Sequence, residues 1–501
     1  MKAAPSPGDA AVVALSLIAH TNVGKTSLAR TLLQRDVGEV RDEAHVTQEA
    51  ERHLMIEARE AEPHARLELW DTPGFGDSVR LARRLAQLAG TSAPVAWFLS
   101  EVWDRFRDRG FWMTQRAVRN VVEQADVVLY LVDASQPPDE LGYLDAELRV
   151  LELLRKPVLV LLNQRGAPGP ADEEAAQVAA WRARTAQTRC VRDVLALDAF
   201  SRCWVHEERL LDRVAAALPE ARRPCFARLQ AAWRERDRAR LRASIDVLAA
   251  SLVRALLDRE PLAEAGWSGR LREAGQALGL RRDEAATPNA IAMRALAGRL
   301  DRDLADATDR LIALHGLDGS AAREVGERLA EHFLQHAPMR LGKAAGWGGA
   351  ATGALLGLKA DLASGGLTLG GGLLVGALLG ALGGAGLATA VNRVRGVERP
   401  SLEWSESAID GLVETLATSY LAVAHHGRGR GAWFAGDEPG HWRETIRRER
   451  DAAIGALHEA MRQLRDKRSG PPDAAAISAW LLRLVERTLA TLYPDAPTRA
   501  S

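Results

Sequence analysis

Four residues carry the most specific chemistry in this chain. Gly24, Lys25 and Thr26 lie in "IAHTNVGKTSL" (18–28), and Asp71 lies in "LELWDTPG" (67–74). A glycine, a lysine and a hydroxyl residue between an apolar run and a helix-forming segment suit a triphosphate. Backbone N–H groups surround the β-phosphate, and the helix N-terminus adds positive potential. The lysine reaches the β- and γ-phosphates, and the hydroxyl binds Mg²⁺. Val23 and Ser27 belong to the same cradle. An aspartate ending a second apolar run adds a carboxylate for the metal, and Gly74 an N–H for the γ-phosphate. The pattern G-x-x-x-x-G-K-[ST] asks for glycine at position 19, where the chain has Ala19. Alanine is the next smallest side chain, and it fails there only if the backbone needs positive φ.

The surrounding elements must place these residues. "VVALSLIA" (12–19) is a short apolar run of strand length, and a helix follows from Thr26 to about Gln34. Strands are expected at 53–59, 65–74, 125–135, 156–164 and 194–200, with helices over 141–156 and 204–217. Apolar strands alternating with helices predict an α/β nucleotide-binding fold, a mostly parallel, doubly wound sheet covered on both faces. The run 10–19 after Lys2 flows straight into the loop, and reads as a first strand rather than a signal peptide. Residues 75–124 show no strand pattern and are expected to form a helical insertion, with Trp97, Trp103 and Trp112 packing inside it.

After Pro224 the pattern turns helical. Phe226, Leu229, Trp233, Leu241, Ile245, Leu248, Leu252 and Leu256 keep three- and four-residue steps. Similar patterns at 302–315, 320–337, 405–424, 440–467 and 474–492 predict an all-α second half. The expected organisation is a tail (1–11), a nucleotide domain (12–223), a helical region (224–343), a glycine-rich apolar hairpin (344–391) and C-terminal helices (392–495). Within the hairpin, Gly349, Gly353 and Gly357 are spaced by four, as are Gly372, Gly376, Gly380 and Gly384. Two readings stand for it. It inserts into or lies on a membrane, or it packs as a tight soluble helix pair.

Composition excludes several classes. Lys+Arg and Asp+Glu are 66 each in 501 residues, so no bulk field draws nucleic acid. Cys190, Cys203 and Cys225 give no disulfide framework and suit a reducing cytoplasm. His425 and His426 precede "GRGRG" and read as a solvated loop rather than a metal site.

Residues 12–217 resemble the bacterial GTPases of the Era/TrmE type, within the translation-factor class. The resemblance rests on "AHTNVGKTSL", which departs from G-x-x-N-x-G-K-[ST]-[ST]-L only at Ala19, and on "DTPG". The whole chain is similar to a proteobacterial family that joins such a domain to a helical C-terminal domain with a glycine-rich apolar stretch. The resemblance implies GTP as ligand and Mg²⁺ held by Thr26, Asp71 and the switch threonine Thr47. It makes Lys25, Thr47 and Gly74 the residues acting on the γ-phosphate. It also implies a K⁺ site near Asn22, for which the alternative is a loop asparagine without K⁺. For Thr47 the alternative is a plain loop threonine.

Two departures bear on activity. Phe75 stands where Ras-like enzymes carry a glutamine, so hydrolysis is expected to be slow without a partner protein, a homodimer or a cation. The base-reading motif N-K-x-D reads "NQRG" here. Asn163 is kept, while Gln164 and Gly166 replace the lysine and the aspartate. Guanine preference is therefore implied by the resemblance alone, with Asp172 and Asp198 as candidate substitutes. The expected function is a Mg²⁺-dependent GTPase switch in the cytoplasm or at the inner membrane. The alternatives are a non-catalytic nucleotide-binding scaffold and an NTPase of altered base specificity.

Overall fold

A computed structural model describes residues 11–35, 37, 50–59, 64–87, 94–100, 108–164, 171–197, 204–261, 288–317, 387–394, 397–426, 440–466 and 474–494. The chain divides into two compact units, with the division in sequence at Ala239 and Arg240.

The first unit is built on a six-stranded sheet. Its strands are β1 (Ala11–Ala19), β2 (Glu51–Ala58), β3 (Ala65–Asp71), β4 (Val127–Asp133), β5 (Val158–Asn163) and β6 (Val191–Ala196). Their order is β2-β3-β1-β4-β5-β6, parallel except for β2, which runs antiparallel to β3 at one edge. Helices α1 (Lys25–Leu33), α2 (Ser78–Gln87), α3 (Pro94–Ser100), α4 (Arg109–Glu123), α5 (Leu144–Leu154), α6 (Ala171–Thr185) and α7 (Trp204–Ala217) accompany it. This is the α/β fold expected of the sequence. The last strand starts earlier than its apolar letters suggested, and α6 was not foreseen.

Strand alternation sorts the core into two layers. Val13, Leu15, Leu17 and Ala19 of β1 pack with Leu28 and Leu32 of α1 and Leu210 and Leu211 of α7. Ile18 faces the other way, with Tyr130 of β4, Phe111, Val118 and Val121 of α4 and Leu148 and Leu151 of α5. Ser16 shares that second face, where its hydroxyl donates to Asn120 Oδ1 at 2.8 Å. Because β3 and β4 flank β1 on opposite sides, the chain reverses its winding there. Doubly wound sheets bind ligands in the crevice outside the carboxyl ends of the strands at such a reversal, here the ends of β1, β3 and β4.

The described parts of the 75–124 segment hold α2, α3 and α4. Trp97 packs against the second core layer under Arg84, and Trp112 carries Arg116 over its ring. Trp103 lies outside the described residues.

In the second half, α8 (Arg223–Leu257), α9 (Pro288–Leu314), α10 (Glu406–Ala424), α11 (Gly440–Asp451), α12 (Ile454–Asp466) and α13 (Ala474–Leu492) realise most of the expected helices. Three corrections follow. The second unit also holds an antiparallel sheet of β7 (Arg259–Pro261), β8 (Leu387–Val394) and β9 (Val397–Trp404), in the order β7-β9-β8. Residues 387–391, expected to end the apolar hairpin, are therefore strand; 344–386 lie outside the described residues. The helix expected over 440–467 is broken at Ala452 and Ala453. There Ala453 N bonds Arg450 O at 2.9 Å in a tighter turn, and Trp480 Nε1 donates to Ala453 O at 3.0 Å. The 320–337 helix lies outside the described residues. His425 and His426 are each 4% exposed, so the solvated-loop expectation does not hold for them. Among the described residues no helix is long and apolar enough to cross a membrane.

Candidate functional site

The loop after β1 brings the predicted phosphate residues to the crevice. Ala19 is the last residue of β1, buried and paired with Leu131 of β4. It is not among the positive-φ residues, which here are Asn22 (φ 65), Gln34, Arg155, Gln164 and Gly24 (φ 89), with Gly316 in the second unit. Alanine is thus compatible with its position. The two left-handed residues, Asn22 and Gly24, turn the chain so that α1 starts at Lys25 with its N-terminus toward the crevice. Left-handed backbone is open to glycine and tolerated by asparagine. Asn22 is exposed on this turn, while Val23 and Ser27 are buried beneath it.

Asp71, at the end of β3, reaches under the helix start. Its Oδ2 accepts the Thr26 hydroxyl at 2.7 Å, and its Oδ1 has no hydrogen-bond partner. The residue is 2% exposed. A buried carboxylate oxygen left alone is costly. Mg²⁺ prefers hard oxygen donors such as hydroxyl and carboxylate, so Thr26 and Asp71 fit that ion. Burial pushes the Asp71 carboxyl above its ordinary range, against the pull of Lys25 and the Thr26 hydrogen bond. Burial pulls Lys25 down, against Asp71 and Glu147. Each charge is thus partly held by the other, at the point where a triphosphate would add negative charge. Asp71→Asn keeps an acceptor for Thr26 and removes the carboxylate charge. It is expected to lose about tenfold or more of the Mg²⁺-dependent gain in nucleotide affinity. Affinity in EDTA should change little. Fluorescent-nucleotide titration with and without Mg²⁺ reads both.

After Asp71 the chain is tied to the loop. Phe75 N donates to Ala19 O at 2.9 Å, forming a parallel bridge between His20 and Phe75. Gly74 lies against the Thr21 backbone, where an added Cβ would sit 3.3 Å from Thr21 Cα. The Phe75 ring is fully buried in the second core layer, so it presents no polar atom to a water. One residue on, a Cβ on Gly76 would stand 2.7 Å from Gly110 Cα, an approach only glycine allows. Gly76 N also donates to Thr114 Oγ1 at 3.1 Å. The segment after Asp71 is therefore pinned to the start of α4. Sequence spacing gave no sign of this contact.

At the far end of the crevice, Asn163 closes β5. Its Nδ2 donates to Val23 O at 2.6 Å, both groups being buried. Gln164 follows with φ 57, and its Nε2 lies 3.4 Å from Asn22 O. The retained asparagine therefore braces the phosphate loop from the base side. Asp172 is exposed on α6. Thr47, Arg165, Gly166 and Asp198 lie outside the described residues. The structure brings together Asn22, Val23, Gly24, Lys25, Thr26, Ser27, Asp71, Gly74 and Asn163.

A further polar group escaped the sequence reading. Glu147 of α5 is fully buried, with Oε1 2.7 Å from His20 Nδ1 and Oε2 accepting Tyr130 OH at 2.8 Å. The alternation of β1 offered a signal, because it sends His20 to the same face as Ile18.

Among curated proteins, no sequence matches the chain. A solved structure of an Aquifex aeolicus Era variant bound to GDP.AlF4- is 19% identical, with a TM-score of 0.28 over 42% of this chain and 58% of its own. Era in complex with MgGDPNP and nucleotides 1506–1542 of 16S ribosomal RNA gives the same values. The chain thus spans 58% of the length of these Era structures. An oligomerised bacterial dynamin pair, described as a mechanism for long range sensing and tethering of membranes, is 10% identical. Its TM-score is 0.23 over 96% of this chain and 62% of its own. Residues 14–164 match the family model of the 50S ribosome-binding GTPase, a stretch that runs from β1 to Gln164 and holds the site built above. The first unit accordingly has an α/β P-loop fold, and its residues 14–164 are similar to this GTPase family.

Proposed function

We propose that the chain is a Mg²⁺-dependent GTPase switch with slow intrinsic hydrolysis. The observation that carries this reading is the buried Thr26–Asp71 pair with an unpartnered Asp71 Oδ1, set beside Lys25 at the start of α1. Thr26 and Asp71 would hold the ion, which lends its charge to the β- and γ-phosphate oxygens when bound. Lys25 would neutralise the same oxygens. Gly74, against Thr21, would offer its N–H to the γ-phosphate. Thr47 would close over the metal in the triphosphate state. Slow hydrolysis follows from Phe75, whose ring is in the core and cannot orient a water. Asn22, exposed and left-handed on the loop, is the residue that would line a K⁺ site.

A second reading, altered base specificity, is favoured by Gln164 and by the chain's departure from N-K-x-D. A site built to hydrogen-bond one base loses orders of magnitude in selectivity when those partners go. One experiment separates the readings: binding and hydrolysis of GTP, ATP and XTP, each in K⁺ and in Na⁺. Preference for GTP supports the switch as stated. Equal use of several bases supports the second reading, and binding without hydrolysis supports a scaffold. Membrane association through 344–391 is part of the proposal, motivated by two uncharged glycine-spaced stretches, 344–358 and 362–391, separated by Lys359 and Asp361. Protein that stays at the bottom of a liposome flotation gradient with every nucleotide would remove it.

A further inference from the structure

Glu147 is the most deeply buried carboxylate near the nucleotide loop, and none of the roles assigned above uses it. Residue types and topology explain how it comes to be there. β1 alternates, so Ile18 and His20 leave the strand on the face covered by α4 and α5. β1 pairs in register with β4, Ile18 beside Tyr130, which places the Tyr130 ring on the same face. Glu147 projects from α5 between them and uses both oxygens, one on His20 Nδ1 at 2.7 Å and one on Tyr130 OH at 2.8 Å. The other side of the imidazole is closed by Tyr143, stacked at 4.1 Å between centroids and 6° between planes. His20 is thus held by a carboxylate at one ring nitrogen and by an aromatic plane along its face.

The backbone of His20 matters as much as its ring. It is the first loop residue after β1, and it bridges to Phe75, whose N–H is bonded to Ala19 O. His20 is therefore the joint between the phosphate loop and the segment that follows Asp71. A buried carboxylate is expensive to keep. Here it is satisfied at both oxygens and holds the side chain of the first residue of the nucleotide loop.

We infer that Glu147 is a positioning residue: through His20 it sets the joint between the nucleotide loop and the Gly74–Phe75 segment, and so governs the γ-phosphate step more than nucleotide affinity. The inference rests on the switch reading given above. Glu147 also acts on Lys25 through its charge, so a conservative variant is needed to separate geometry from charge. Glutamine can accept from Tyr130 and donate to a neutral His20 nitrogen, whereas alanine can do neither.

The test compares wild type, Glu147→Ala and Glu147→Gln as full chains, by steady-state GTP hydrolysis, GDP titration and thermal melting. Glu147→Ala is expected to lower kcat by about tenfold or more, as small misplacements of reacting groups do. KM and GDP affinity should stay within about threefold of wild type, and Glu147→Gln should recover most of kcat. A wild-type kcat in Glu147→Ala overturns the inference. So does an equal loss of kcat in both variants, or a loss confined to affinity. Should the alanine variant not fold, Tyr130→Phe decides in its place. Lowered kcat with unchanged KM supports the inference, and unchanged kcat overturns it. A wild-type chain that neither binds nor hydrolyses any nucleoside triphosphate overturns the switch reading itself, and the inference with it. A hydrolysing wild type with an unaffected Glu147→Ala overturns the inference alone.

Discussion

Lys25→Ala is expected to lower affinity for nucleoside triphosphate by about 100-fold or more, equivalent to about 3 kcal/mol. The lysine starts α1, next to the left-handed Gly24. Its charge is held by Asp71 and Glu147, while burial pulls its pKa down. A desolvated cation gains strongly when phosphate oxygens arrive, because little water screens the new pair. In the free protein the balance differs. The variant spares the cost of burying an ammonium group and leaves Asp71 with one fewer compensating charge. The melting temperature without ligand should therefore move little, while ligand-induced stabilisation disappears. Isothermal titration and a nucleotide-dependent melt read the two effects separately. Binding that survives this substitution would falsify the switch reading at its root.

Gly24→Ala is the second large effect, and it acts on the scaffold as well as the ligand. Gly24 has φ 89, and a Cβ there would lie 2.7 Å from Asn163 Nδ2. The left-handed conformation costs an L-residue about 1–2 kcal/mol. Asn163 must also move, which endangers its 2.6 Å bond to Val23 O. A buried carbonyl left without a donor costs about 1–3 kcal/mol more. The first unit should melt lower by about 5 °C or more. Nucleotide affinity should fall as well, because the turn that aims the loop N–H groups is displaced. A melt without ligand, followed by titration at a temperature where the variant is folded, distinguishes the two losses. Asn163→Ala should share the loss of bracing without the backbone strain.

Local pattern made the phosphate end of this site legible. Lys25 and Thr26 follow an apolar run, Asp71 ends another, and both runs became neighbouring parallel strands. The same reasoning judged Ala19 mild, and its place inside β1 gives the reason: strand backbone needs no glycine. Glu147 was not legible. It sits in "LDAELRVLELL", where Asp145, Arg149 and Glu152 nearby make Glu147 look like part of a solvated face. Only the packing of α5 over the end of β1 turns it inward. The β7-β9-β8 sheet escaped for a similar reason. β7 pairs with β9 across a long stretch of sequence, and its three residues carry no alternation to detect. The break between α11 and α12 depends on a Trp480 side chain from another helix. Where a feature is fixed by neighbours in sequence it could be read, and where it is fixed by a distant partner it could not.

The contact between Gly76 and Gly110 has a consequence for how this domain can vary. The chain leaves the site at Gly76 and comes back against it at Gly110, with no room for a side chain on Gly76, whereas a Cβ on Gly110 would meet its nearest neighbour at an ordinary 3.4 Å. The residues between these two glycines thus form a side excursion with a closed neck. Lengthening a loop costs little once its ends are held together, since the closure term grows only with the logarithm of its length. Its described helices are nonetheless part of the second core layer, where Leu81, Leu85 and Phe98 are buried with Ile18 and Tyr130. Length changes are therefore expected between these helices rather than within them, while Gly76 and Thr114 hold the point where the chain leaves the nucleotide site.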